Sequence, residues 1–242
     1  MRKTIAAATL AVASAALTGC HARAEDGGPT VSRNYQVGNF QQIEVAGPYD
    51  VTVRTGSNAS VSARGGEKLL DRTTVELEGN KLVIRPEHSS GLFHFGFSTH
   101  GNANFTVTVP QLTAATISGS GDIHVDRVAG QQFEGEVTGS GGLDVGAVDV
   151  QQLGLAVTGS GGLKGGTGKA QTGNYEIAGS GDLDASAVQT QQIKASIQGS
   201  GSIKAHSSGT ADINIMGSGD VAVSGGAKCS VSKMGSGSAN CS

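Results

Sequence analysis

The chain has no tryptophan, and its 242 residues include only 3 tyrosines and 6 phenylalanines. Large aromatics normally anchor a conventional sandwich core, so this interior must be assembled from small β-branched and aliphatic side chains. A dominant charge is missing too. With 17 basic and 20 acidic residues the net charge is −3, which supplies no field to draw in nucleic acid or anionic lipid. No basic patch interleaved with aromatics is present, so no nucleic-acid partner is expected. Cysteine is down to 3 residues. That is too few for a four-cysteine metal site and leaves no second pair to complete one. What the chain has in excess is glycine, 39 residues, about twice the usual share of roughly 7%.

The first 19 residues have the character of an export signal. Arg2 and Lys3 precede an apolar, Ala-rich stretch from Ile5 to Leu17. That stretch is short of the roughly 20 apolar residues that span a bilayer and fits a signal-peptide core. It ends Leu17-Thr18-Gly19-Cys20, which resembles the lipobox of bacterial lipoproteins. The resemblance implies that Cys20 becomes the first mature residue and carries the lipid; an ordinary secretory signal with an incidental cysteine is the alternative. His21 stands where an aspartate is associated with inner-membrane retention, so outer-membrane sorting is favoured, facing the periplasm or the cell surface. With Cys20 lipidated, Cys229 and Cys241 remain to pair in an oxidising compartment. Residues 20–37 are small and polar and read as a flexible tether.

Residues 38–115 show period-two alternation. Ile43-Glu-Val45, Val51-Thr-Val53, Val75-Glu-Leu77, Leu82-Val83-Ile84 and Phe105-Thr-Val107 read as short strands. Lys68-Leu-Leu-Asp reads as one helical turn at most. From 116 to 242 a repeat takes over. Gly-Ser-Gly begins at 119, 139, 159, 179, 199, 217 and 235, spaced by 20 residues and then by 18.

Aligning the repeats gives apolar columns. Ile117, Val137, Val157, Ile177, Ile197 and Ile215 form one; Ile123, Leu143, Leu163, Leu183, Ile203 and Val221 form another, with Val125, Val145 and Val223 two places on. Phe133, Leu153, Ile193 and Ile213 are read as a further column near the end of each coil. Apolar positions two apart are one face of a strand. One repeat cannot bury such a face alone, so the coils must stack. The fold expected is all-β: a parallel β-helix (β-solenoid) with coils of about 20 residues and about 4.8 Å apart, preceded by an N-terminal β region continuous with it. The glycines are expected to form tight corners. His124, Asp144, Lys164, Asp184 and Lys204 fall on an outward column with alternating sign, and Gln131, Gln151, Gln171 and Gln191 suggest a ladder of bonded side-chain amides. Cys229 and Cys241 fall on inward columns of the last coils, where a disulfide would staple an open end.

Catalytic motifs fail one by one. Gly161–Ala170 lacks the glycine a phosphate loop needs, because Leu163 is there, and has Ala170 after Lys169. The Gly-Ser-Gly serines have no histidine in register and no G-x-S-x-G elbow. Asp122, Asp182 and Asp220 are replaced by Gly or Ser in other coils, unlike a calcium-binding solenoid. No catalytic residue, metal or cofactor is therefore expected. His88, His94 and His100 could hold zinc, but a projecting loop is preferred, with Phe93, His94, Phe95 and Phe97 as an interaction surface.

Phe40-Gln-Gln-Ile-Glu-Val-Ala-Gly-Pro-Tyr-Asp-Val-Thr-Val, then Lys68-Leu-Leu-Asp, Val107-Thr-Val-Pro110 and the Gly-Ser-Gly-Asp coils resemble the putative auto-transporter adhesin head GIN domain family over about 40–240. The resemblance implies a right-handed parallel β-helix without catalytic residues, exported and often lipid-anchored. The expected function is a non-enzymatic cell-envelope lipoprotein, an adhesion or binding module presenting its solenoid faces. Its expected partners are the membrane, through the lipid, and a cell-surface polysaccharide or envelope protein. The alternative is a carbohydrate-active enzyme or polysaccharide binder on a pectin-lyase-like β-helix.

Overall fold

A computed structural model describes residues 25–26, 28–87, 99–100 and 103–242. One 17-stranded sheet runs through almost all of them. From residue 114 onward every pairing is parallel, and each residue lies beside the one a coil later, as Ile117 beside Val137 and Val157 beside Ile177. The seven Gly-Ser-Gly corners bound about 6 turns of a β-solenoid. Whole coils such as Asp122–Gly139 and Gly142–Gly159 are continuous strands that bend at their corners.

The corners explain the glycines more sharply than bending alone. The first glycine of each has positive φ, for example +133° at Gly179. Its carbonyl accepts from the N–H groups of the next coil's corner, as Gly139 O does from Ser160 N and Gly161 N, both at 2.9 Å, and Gly179 O from Ser200 N at 2.8 Å. A Cβ on Gly179 would lie 2.3 Å from Gly159 O, one coil back. The coils approach closely through bare backbone, and only the central serine faces solvent.

The solenoid starts earlier than its repeat. Gln42–Ala46 and Tyr49–Thr55 form a coil of their own, with Val45 beside Ile117 and Val51 beside Ile123. Gly47-Pro48-Tyr49 is the corner of that coil: Gly47 has φ +115°, and its carbonyl accepts from Gly121 N at 3.0 Å. Lys81–Pro86 and Ala103–Val109 supply a further coil on the other side. Antiparallel strands then close this end. Thr73–Glu78 pairs with Lys81–Pro86, Ser60–Gly66 with Ala103–Val109, and Thr30–Tyr35 with Ser60–Gly66. The short helix Glu67–Asp71 links two of them and buries Leu69 and Leu70.

Three expectations need correction. The flexible tether expected over 20–37 does not hold for 30–35, because Thr30–Tyr35 is a strand. The alternation Val31, Arg33, Tyr35 places the Tyr35 ring 6.4 Å from Phe105. Ile213 is not in the column of Phe133, Leu153 and Ile193; Ala211 pairs with Ile193, and Ile213 with Ala195. The reason is where the short coil loses its residues. Ala185 pairs with Ala205 but Gln189 with His206, so 186–188 have no counterpart, and one residue is regained before Thr210. Two polar side chains buried there are satisfied: Thr190 Oγ1 donates to His206 O, and Ser207 Oγ lies within 3.0 Å of Gln191 O. Third, Gln131, Gln151, Gln171 and Gln191 do align, but backbone bonds such as Gln171 N to Gln151 O, 3.0 Å, join them. No side-chain amide bond links them among the described residues.

One column is broken and refilled. Gly173 stands where Phe133, Leu153 and Ile193 bring bulk, and the Tyr175 hydroxyl lies 2.5 Å from where a Cβ on Gly173 would be. The neighbouring column runs Gly135, Leu155, Tyr175, Ala195. Large and small residues trade places between two adjacent columns, which keeps the core at native density.

Candidate binding groove

The outward surfaces are rows of side chains held in step by the pairing. On one face His124, Asp144, Lys164, Asp184 and Lys204 are successive partners, as expected. Partial burial opposes ionisation of Asp184. Hydrogen bonds from Ser186 Oγ (2.6 Å) and N (3.0 Å) and the charges of Lys204 and Lys164 outweigh that, and hold its pKa below the ordinary aspartate value. Such pairs stabilise by a few tenths of a kcal/mol each. Beside them Asp182, Ser202, Asp220 and Ser238 alternate. Ser202 Oγ donates to Asp182, and Ser238 donates to Asp220 through N (3.0 Å) and Oγ (2.6 Å). An aspartate in every coil would place like charges in contact. The Asp/Ser alternation avoids this and gives these aspartates a structural use.

Several hollows run along the stack. One of about 750 Å3 follows the row Gln131, Gln151, Gln171 and Gln191. Another, of about 910 Å3, is lined in part by Pro110, Gln111 and Leu112. Its polar groups are largely spent on one another: Lys169 Nζ lies 3.7 Å from Asp149 Oδ1, and Gln111 Nε2 donates to Ala129 O at 3.2 Å. A third is a groove of about 560 Å3 crossing the coils from Gln132 to Asp212. One wall is the row Gln132, Gln152, Thr172, Gln192, Thr210, each paired in register with the next. The opposite wall is the row Glu134, Gly154, Asn174, Lys194, Asp212. Backbone of Phe133, Leu153, Gly173 and Ile193 floors it. This row one place beyond the expected glutamine column was legible in the repeat, because Gln-Gln recurs at 131–132, 151–152 and 191–192.

The groove's two carboxylates, Glu134 and Asp212, stand four coils apart, about 19 Å at the usual strand spacing. Paired acids of a glycosidase sit about 5–10 Å apart, so these two cannot act together. His206 Nδ1 meets Ser224 Oγ at 3.2 Å, but that hydroxyl also lies 3.3 Å from Ala205 O at the tightened corner, and no carboxylate orients the imidazole among the described residues. No group of three or more His, Cys, Asp or Glu able to hold a metal occurs among the described residues. Cys229 and Cys241 are joined, with Cα atoms 6.6 Å apart. Cys20, Phe93, His94, Phe95 and Phe97 lie outside the described residues, as do His88 and the side chain of His100.

The architecture is that of a parallel β-solenoid with long polar faces and one closed end. Its family follows from the sequence. The family model described as "Putative auto-transporter adhesin, head GIN domain" matches residues 39–227, and the chain belongs to that family. Solved structures share the fold. A putative adhesin from Bacteroides fragilis superposes with a TM-score of 0.79 at 22% identity, over 88% of this chain and 97% of that one. A protein from Parabacteroides distasonis, named a putative lipid binding protein, gives 0.70 at 24% identity, over 90% and 98%. A putative adhesin from Parabacteroides merdae gives 0.66 at 17% identity, over 90% and 98%. No curated protein matched the sequence.

Proposed function

We propose that this protein is a non-enzymatic binding module of the cell envelope, held to the outer membrane by a lipid on Cys20 and adhering through its solenoid faces. The observation that carries the reading is the unbroken parallel stack, whose polar rows stay in step from coil to coil. Such a surface suits an extended ligand that makes many weak, repeated contacts, where avidity replaces a single deep site. Membership of an adhesin-like family supports it. No helix among the described residues is long and apolar enough to cross a membrane. The 88–100 segment is a second contact surface in this reading.

The full-length lipidated protein, in detergent, is presented to isolated envelope material and to a polysaccharide array. Retention without release of reducing sugar is expected. Sugar release abolished by one acidic substitution would overturn the reading in favour of a carbohydrate-active enzyme, and absence of retention on any envelope fraction would overturn adhesion. Cys20→Ala is expected to move the protein from the membrane to the soluble fraction, and unchanged partitioning refutes the anchor.

A further inference from the structure

We infer that the groove from Gln132 to Asp212 takes a neutral, extended β-linked glycan chain, laid along the solenoid axis with one sugar per coil. This rests on the binding-module reading and names its ligand class.

The first support is spacing. Gln132, Gln152, Thr172 and Gln192 are successive register partners, so their Cα atoms repeat at about the 4.8 Å of neighbouring strands. An extended β-1,4-linked pyranose chain advances by close to one coil per sugar. An extended peptide advances about 3.3 Å per residue, so it could present a residue in step only at every second coil. An α-1,4-glucan coils instead of running straight, and cannot follow the row.

The second support is chemistry. Each glutamine amide offers two donors and an acceptor with two lone pairs, and each threonine hydroxyl both donates and accepts. Sugar hydroxyls ask for the same pairing. Among the described residues the amides of Gln132, Gln152 and Gln192 have no bond to another protein group, so the row is open to a ligand. The remaining charges argue for neutrality. Glu134 and Asp212 outnumber Lys194 on the opposite wall, which disfavours a uronate polymer.

The third support is shape. Gly154 leaves a gap in the wall between Glu134 and Asn174, and the floor is backbone. The volume of about 560 Å3 lies within the usual range of ligand sites, roughly 300–1,000 Å3. Among the described residues no aromatic ring projects into the groove as a stacking platform. Affinity must then grow with chain length as contacts accumulate from coil to coil.

The test is titration of the full-length protein in detergent with cello-oligosaccharides of two to six sugars, alongside maltohexaose and an oligogalacturonate. Binding is expected to cellohexaose, tightening with each added sugar. It should weaken by about tenfold or more in Q152A/Q192A, the loss expected for two hydrogen bonds. Both positions are exposed, and an unchanged melting temperature verifies the fold; Gln152→Leu, of similar size, is the second variant. Equal binding by these variants, preference for maltohexaose or oligogalacturonate, or no binding to cellohexaose would each overturn the inference. If cellohexaose fails while envelope retention persists in Q152A/Q192A, the glycan site is wrong and the module reading stands. If envelope retention is also absent in the wild type, the module reading fails with it.

Discussion

The two ends of the solenoid solve the same problem differently. A stack of coils buries its columns everywhere except at its first and last members, which expose apolar side chains and unpaired strand edges. At the N-terminal end the protein builds a lid. Antiparallel strands cover the outermost coil, and the Glu67–Asp71 helix presses Leu69 and Leu70 onto the core. The scarce aromatics gather here: Phe40, Tyr49 and Phe105 are buried, and the Tyr49 and Phe105 rings meet edge to face at 5.6 Å. Thr73 Oγ1 lies 3.0 Å from the Tyr49 hydroxyl and 2.7 Å from Leu69 O, tying lid to corner. At the other end nothing lies over the last coil among the described residues. Val231 is 48% exposed and Met234 74%. There the chain uses a cross-link and a charge. Cys229–Cys241 ties the last coil, and Lys233 occupies the inward column of Ile117 to Ile215, its ammonium donating to Gly237 O at 3.1 Å. A lysine in an inward position at an edge deters another molecule's strand from docking. One end is stabilised by burial, the other by topology and protected by repulsion.

The largest effect should come from emptying the lid. Phe105→Ala removes the ring between Tyr35 and Tyr49, and buried Phe→Ala changes cost about 3–5 kcal/mol. Denaturant unfolding should show this as a global loss of stability, since lid and first coils share one core. Breaking the other end gives a different signature. Cys229→Ser opens a bridge with a sequence separation of 12, worth about 3 kcal/mol in the chain-entropy model. In a stack whose coils contact only their neighbours, that loss should stay local. Hydrogen exchange is expected to rise in 220–242 while coils around 123–183 keep their protection. A uniform loss along the whole stack would contradict the distinction between the ends.

The middle of the stack supplies the reference. Tyr175 is fully buried, its hydroxyl has no partner, and burial pushes its pKa well above the ordinary tyrosine value. Tyr175→Phe should therefore stabilise, by about 1 kcal/mol, by removing an unsatisfied buried group. Burial opposes the tyrosinate, so above the unfolded value near 10 the unfolded chain ionises first and folding is increasingly disfavoured as pH rises. The wild type should weaken above about pH 10, and the phenylalanine variant less. Lys233→Ile should change the melting temperature little and instead produce concentration-dependent association through the last coil, read by sedimentation.

The repeat was legible because its signal is redundant. The Ile117 and Ile123 columns are each stated six times, so the coil period stays readable where Gly173 interrupts a neighbouring column. The lid was legible as strands but not as a lid. Its strands alternate like the others, and nothing local in Ser60–Gly66 or Thr73–Glu78 says antiparallel. Gly47-Pro48-Tyr49 escaped recognition as a corner because Tyr49 replaces the third glycine. The substitution is tolerated because this coil lies beneath the lid, and the ring reaches into it. Ile213 was misplaced because spacing alone shows that two residues are lost, not where. The binding groove was half legible: the glutamines recur plainly, but the opposite wall of Glu134, Gly154, Asn174, Lys194 and Asp212 repeats no residue type that would mark it.

The smallest effect concerns the open end again. Asp220 accepts from Ser238 through both the hydroxyl and the backbone N–H, and these bonds hold its pKa below the ordinary aspartate value. A group whose pKa is depressed on folding contributes above its unfolded value, near 3.9, and loses that contribution as pH falls through the folded one. Asp220 is exposed, so solvent screens the effect and it stays slight. It acts, however, on the one coil with no neighbour beyond it. Acidification from pH 6 to pH 3 should therefore lower the protection factor of the Ser238 amide before any change at Ile117 or Val137, where the lid and the stack hold both sides. Asp220→Asn keeps an acceptor without a titrating charge and should remove that pH dependence. If Ser238 responds to acid equally in the variant, the Asp220–Ser238 pair is not what makes the last coil acid-sensitive.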